Sequence, residues 1–259
     1  MKINKNGFGI SVLNILICCS VLPLSPSYAA QKESLVINSG SSAPLIISDN
    51  EGFYPQLTRM LFDRLGISVQ VLHLPSSRSL QNANQGVDDG VIARVKGIDK
   101  KNTNLIMVPE KVIDLDFVAF SNDRNIKIES WKDLKDYNVA YVRGWKIFDK
   151  NVSVYKSLVK AKDSTQMFKL LRNGRADVVL HQNIPGRYLL NTLGYHPYQH
   201  VPPLTSRELY LYMHKKHASL VPQISSELRK MKDEGEYKKL FDLYIAHLIV
   251  EDEKAGAQN

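Results

Sequence analysis

DSTQMFKLLRNGRADVVLHQ, residues 163–182, holds a helix, a stop and a strand in twenty residues. Met167, Phe168, Leu170 and Leu171 recur at the three-and-four spacing that puts side chains on one helix face. Gly174 supplies the left-handed residue that ends helices, and ADVVLH is a short apolar run of strand length. The same order occurs earlier. YPQLTRMLFDRLG (54–66) carries Leu57, Met60, Leu61 and Leu65 on one face, stops at Gly66 and leads into SVQVLHL (68–74). Two such cycles predict an α/β architecture.

Working outward, SLVIN (34–38), GVIAR (90–94), NLIMVP (104–109), LDFVAFS (115–121), residues 137–142 and RELYLYMHK (207–215) read as further strands. SSRSLQNANQG (76–86) reads as a short helix capped by Ser76 or Ser77, and Ser130 as the cap of a turn in IESWKDLKD (128–136). PGRYLLNTLG (185–194) starts a helix with Pro185 in its first turn, and residues 219–249 hold two more helices before a polar tail. No Pro/Gly-rich linker separates the cycles, so the chain is expected to cross between two lobes through strands at residues 115–125 and 203–212. Lobe 1 then comprises 30–118 plus 208–259 and lobe 2 comprises 119–207. Each is a mixed sheet flanked by helices, with a ligand cleft between them and a hinge at the crossings.

The first residues set the expected compartment. Lys2 and Lys5 precede an apolar run from Ile10 to Leu22 and then SPSYAAQ, which reads as a secretory signal over 1–29 cleaved after Ala29 or Ala30. A lipid anchor is the rival, but Ile17 before Cys18 is not the small residue that a lipoprotein signal needs. Cys18 and Cys19 leave with the leader, so a disulfide, a thiolate metal site and a cysteine nucleophile are excluded. Loss of Lys2 and Lys5 lowers the formal charge from +8 to +6. Basic residues without interleaved aromatics exclude a nucleic-acid stripe. His196 and His200 lie in a proline-flanked stretch, and His214 and His217 straddle a strand end, so neither pair reads as a metal site. No nucleophile elbow, zinc-protease or phosphate-loop motif is present, and no cofactor or catalytic residue is assigned.

Open α/β sheets bind ligands beyond the carboxyl ends of their strands. Ser41 follows the first strand, Arg94 closes GVIAR, Gly144 and Trp145 follow residues 137–142, and Gln182 follows the 178–181 run. Arg78 stands in the first turn of a helix, against the positive end of its dipole, at a cost of about 0.3–1 kcal/mol. An anion held by Arg78 and Arg94 together would offset it, whereas Asp88, Asp89 or Glu51 could instead take these arginines as structural ion pairs. Tyr54 and Trp145 are the candidate stacking aromatics, while Phe117 and Phe120 read as packing or hinge residues.

GFYPQLTRMLFDRLG, NQGVDDGVIA, SWKDLKDYNVAYVRG, LLRNGRADVVL and LRKMKDEGEYKKL together resemble bacterial extracellular solute-binding proteins of family three, the periplasmic receptors of amino-acid ABC importers. The resemblance spans nearly the whole chain after the leader and implies a type II periplasmic-binding-protein fold, a two-lobed flytrap. It departs at the ligand. Lys101 stands nearest the arginine that grips an α-carboxylate in that family, and Gln182 nearest the aspartate that pairs with the α-ammonium. A buried ammonium without a partner is costly, which argues against an ordinary α-amino acid. The sequence is similar to a divergent branch, marked here by Arg78, Asn82, Asn84, Asp89, Gly90 and Arg94. The resemblance therefore implies a monomeric, non-catalytic periplasmic receptor for a small polar or anionic solute. Its membrane partner is the permease of an importer or, alternatively, a membrane sensor. An enzyme on the same fold, using a cleft acid such as Glu51 or Asp89, is the remaining alternative.

Overall fold

Parallel pairing of short apolar runs frames the first half of the molecule. β1 (Leu35–Ser39) pairs in parallel with β2 (Val69–His73) and β3 (Gly90–Val95). The connections are α1 (Phe53–Arg64) and α2 (Ser76–Gln85). Alternation along β3 sends Val91 into a cluster with Ala83 of α2 and Ile92 into one with Leu57 and Leu61 of α1, so the two helices cover opposite faces. In the computed structural model the described residues are 34–249, with Met1 and Lys2. The leader over 1–29, otherwise, and the tail from Val250 lie outside them. Residues 34–249 belong to one compact unit, and no described helix is long and apolar enough to cross a membrane.

β4 (Leu105–Ser121) was expected as two strands and is one, seventeen residues long. Pro109, which has no N–H to donate, sits where the ladder is interrupted: pairing with β9 (Thr205–His214) shifts between Met107 and Lys111 and again before Ile113. The proline thus falls in a gap of the ladder and does not end the strand. From Phe117 onward β4 pairs antiparallel with β7 (Val178–Gln182). That ladder belongs to the second half, where β5 (Asn138–Val142) pairs in parallel with β7 and with β6 (Ser157–Ala161). The order across the sheet is β2-β1-β3-β9-β4-β7-β5-β6, with β8 (Tyr198–Gln199) on β4. The residues expected to cross between lobes fall in one antiparallel pair, with Leu115 opposite Arg207 and Phe117 opposite Thr205.

Helices cover the second half on both faces. α3 (Lys146–Asn151) brings Phe148 into a cluster with Val139, Tyr141 and Leu180. α4 (Ser164–Arg172) and α5 (Asn183–Thr192) bring Phe168, Leu171 and Leu190 against Val118, Phe120, Ala140 and Val179. Each such burial contributes about 1.5–3 kcal/mol. α4 starts where Asp163 Oδ1 accepts the Gln166 N–H at 2.8 Å, and Gly174 has φ 64° after its end. Ser130 caps as expected, in a 3-10 turn where Asp133 Oδ2 accepts the Ser130 N–H at 2.8 Å. α6 (Val221–Asp233) and α7 (Glu236–Phe241) return to the first half, with Ile224 and Leu228 beside Leu57. α2 differs from expectation: Pro75 is its N-cap and makes no side-chain cap, and the Ser76 hydroxyl accepts instead from Arg94.

Candidate functional site

A cleft of about 470 Å³ opens where the two halves of the sheet meet. The first half contributes Gly40, Ser41 and Ser42 after β1, Ser76 and Leu80 of α2, Ala93 and Arg94 of β3, and Ile98. The second contributes Gly144, Trp145, Lys146 and Ile147 after β5 and Gln182 at the end of β7, with Leu115, Phe117 and Leu209 of the shared strands between. Ser41, Arg94, Gly144, Trp145 and Gln182, spread over residues 41–182, are thus brought together. Arg78 and Tyr54 are not among the lining residues.

Arg94 is aimed by an irregularity in β3. Val91 pairs with Tyr212 and Arg94 with Tyr210, so β3 spends three steps where β9 spends two. This is a β-bulge, and its extra residue reverses the alternation. Ala93 takes the strain, with φ 67°, the positive φ of a conformation that costs an L-residue about 1–2 kcal/mol. Without the bulge Arg94 would point to the α1 face. With it, Arg94 returns to the α2 face and meets the start of that helix: Nη1 donates to Ser76 Oγ at 2.8 Å, and Nη2 to the Ser76 carbonyl at 2.8 Å and Ser79 Oγ at 2.7 Å. Gly40 permits the approach of the loop to α2, since a Cβ there would stand 2.4 Å from Ser76 Cα.

Every one of those partners is neutral. Asp88 accepts from Asn38 at 2.5 Å, and Asp89 is taken by Lys216 and His217, each at 2.7 Å, so the structural ion pairs considered for Arg78 and Arg94 do not form. Arg94 Nε is buried with no hydrogen-bond partner. Desolvation lowers the guanidinium pKa to about 10. Opposite it stands Lys146, exposed, and no carboxylate side chain lines the cleft among the described residues.

Arg78 fails to converge for a helical reason. Ser76 and Leu80, four apart, share the face toward the cleft, and Arg78 midway between them points away. It is exposed and makes no side-chain hydrogen bond or ion pair among the described residues. Tyr54 is completely buried on the stripe of α1 shared with Leu57 and Leu61, its ring 5.7 Å from that of Phe53. Its hydroxyl lies beside Ser41 without a hydrogen bond, and burial holds the phenol far above its ordinary range. The three-residue spacing from Tyr54 to Leu57 was the available signal. Lys101, nearest the expected family arginine, is exposed and outside the cleft.

The second half supplies an aromatic wall. Trp145 stacks on Phe148 at 5.5 Å with 7° between planes and lies 4.8 Å from the ring of His181. His181 is buried, with Nδ1 3.0 Å from the Gln182 carbonyl and Nε2 2.8 Å from Ser164 Oγ; desolvation lowers its pKa from 6.5 to about 4. The Gln182 side chain makes no hydrogen bond among the described residues, which leaves its amide for a ligand. Gly144 has φ 84° in the loop that presents Trp145. Lys146, Ser76 and Ala93 were missed by sequence reasoning, since only the bulge and the meeting of the halves bring them to the cleft. Two of the other histidines have hydrogen-bond partners in the fold, His200 with Ser121 Oγ at 2.8 Å and His217 with Asp89 Oδ1 at 2.7 Å. No cluster of potential metal ligands occurs among the described residues.

No family model matches the chain. It is 27% identical over 186 residues to an uncharacterized protein of Shewanella oneidensis, 68% of this chain and 69% of that one. Among solved structures it is similar to an ancestral cationic amino-acid solute-binding protein, with a TM-score of 0.67, 19% identity, and coverage of 82% of this chain and 95% of that one. It is also similar to the substrate-binding protein of an amino-acid ABC transporter, TM-score 0.63, 18% identity, coverage 82% and 99%. A third is an ancestral amino-acid-binding protein described as a precursor of cyclohexadienyl dehydratase, TM-score 0.64, 18% identity, coverage 82% and 95%. The chain has the fold of these two-lobed periplasmic binding proteins.

Proposed function

We propose that this protein is a periplasmic receptor that closes two lobes, 30–118 with 208–259 and 119–207, on a small anionic solute and presents it to the permease of an ABC importer. The observation that carries the reading is Arg94: a desolvated guanidinium facing a cleft, bonded only to neutral oxygens, with strain at Ala93 maintaining its direction. A carboxylate or phosphate would supply the missing counter-charge. Lys146 adds a second cation from the other lobe, so an anion favours the closed state by touching both. Gln182 stands where an ammonium partner is expected and offers an amide, which favours a solute without a free amine. Trp145, Gly144 and Ser41 complete the site, and the shared strands β4 and β9 act as the hinge.

Native mass spectrometry of the purified protein, followed by a thermal-shift panel of amino acids, their deaminated acids, phosphates and sugars, tests this. An anionic compound at a hundred times its Kd should stabilise the protein by about 2.7 kcal/mol. Arg94→Ala should weaken it about thirty-fold or more, from the roughly 2–5 kcal/mol of a buried charge pair. Equal binding by Arg94→Ala, or a preference for zwitterionic amino acids over their deaminated acids, would overturn the assignment.

A further inference from the structure

β6 is one of the two outer strands of the sheet, with β2 at the other end. It pairs with β5 from Ser157 to Ala161, and its other edge has no strand partner among the described residues. That edge and helix α4 bound a groove of about 430 Å³, floored by Val159 and Leu170 and lined by Arg143, Lys162, Lys169 and Arg175. All four cations are exposed, and none of their side chains forms a hydrogen bond or ion pair among the described residues. Lys160, also at the groove, is already neutralised by Asp149 at 2.5 Å, and no carboxylate side chain lines the groove among the described residues.

An unpaired edge is a template for another strand, and charges placed along it decide which strand is accepted. A second copy of this chain would bring the same four cations to the same edge and be repelled. An extended acidic segment would find unpaired backbone groups along about 16 Å of strand. Its side chains on the α4 face would meet the cations at every second residue, and Val159, 39% exposed, offers an apolar contact between them. We propose that this groove docks an acidic, extended segment of a partner protein, added as a strand along β6. The site lies apart from the cleft and does not depend on the solute reading.

A fluorescein-labelled peptide of alternating Glu and Val, seven residues long, titrated against the full chain by fluorescence anisotropy, provides the test. Binding should weaken at least tenfold in the double variant Lys169→Glu/Arg175→Glu and on raising salt from about 50 to about 500 mM. It should also be lost when alternate peptide nitrogens are methylated, because a strand then cannot pair. Both substituted residues are exposed, so an unchanged melting temperature and an unchanged far-ultraviolet circular dichroism spectrum certify the variant's fold. Equal binding to the double variant, or undiminished binding of the methylated peptide, overturns the proposal. So does sedimentation with phosphatidylglycerol vesicles, lost in the double variant, in the absence of peptide binding, which would make the groove a membrane contact.

Discussion

Acidification should weaken the wall behind the cleft, by an amount the structure sets. His181 is 3% exposed, between Trp145 at 4.8 Å and Phe168 at 5.6 Å. Its Nδ1 faces the Gln182 carbonyl, which only accepts, so Nδ1 carries the proton and Nε2 accepts from the Ser164 hydroxyl. Both nitrogens of the neutral ring are satisfied, and no carboxylate among the described residues pairs with the ring to compensate a second proton. Burial accordingly lowers the pKa from 6.5 to about 4. The unfolded chain takes up a proton as pH falls through 6.5, while the folded protein resists until about 4. Stability is therefore full above 6.5 and declines as pH falls between those values. At about 1.4 kcal/mol per unit, the loss approaches about 3 kcal/mol and reaches about 2 kcal/mol near pH 5. Urea unfolding of the wild type and of His181→Gln, near pH 7.5 and near pH 5, measures it. The stability advantage of the wild type over the variant should shrink by about 2 kcal/mol at the lower pH, with the denaturant slope unchanged. His200, also shifted down by burial, is present in both proteins and cancels. If the two proteins lose stability in parallel, His181 is not the buried neutral group described.

Gly40→Ala would place a Cβ 2.4 Å from Ser76 Cα, and because that neighbour is backbone the start of α2 must move. A loss of about 1–3 kcal/mol is expected, with a smaller ligand-induced thermal shift as Ser76 leaves Arg94; an unchanged melting temperature would contradict the close approach. Asp163→Ala removes the 2.8 Å bond to the Gln166 N–H and should cost about 1 kcal/mol in the urea midpoint. Asp163→Ser should restore most of it, which separates capping from surface charge.

The elements were legible where the information is local. α1 and α4 announce themselves by apolar residues at three-and-four spacing ended by Gly66 and Gly174, and the strands by short β-rich runs, because each pattern needs only one core face to satisfy. Ser41, Gly144, Trp145 and Gln182 were legible for a related reason: strand ends in open α/β sheets point to one rim. α3 and β6 passed unnoticed, since six and five residues carry too little periodicity.

Sequence alone determined which residues can stand at the rim and that one of them is an arginine, while the structure showed that Asp88 and Asp89 are taken by other partners. The direction of Arg94 was decided elsewhere. Alternation along GVIAR places residue 94 on the wrong face, and only the mismatch between β3 and β9, whose paired residues are more than a hundred positions apart, inserts the extra step that turns it to α2. The same holds for Lys146, which lines the same cleft as Arg94 only because β4 and β9 carry the chain from one half of the sheet to the other. Local periodicity specifies faces, but which faces confront each other is a property of long-range pairing, and no window along the chain contains it.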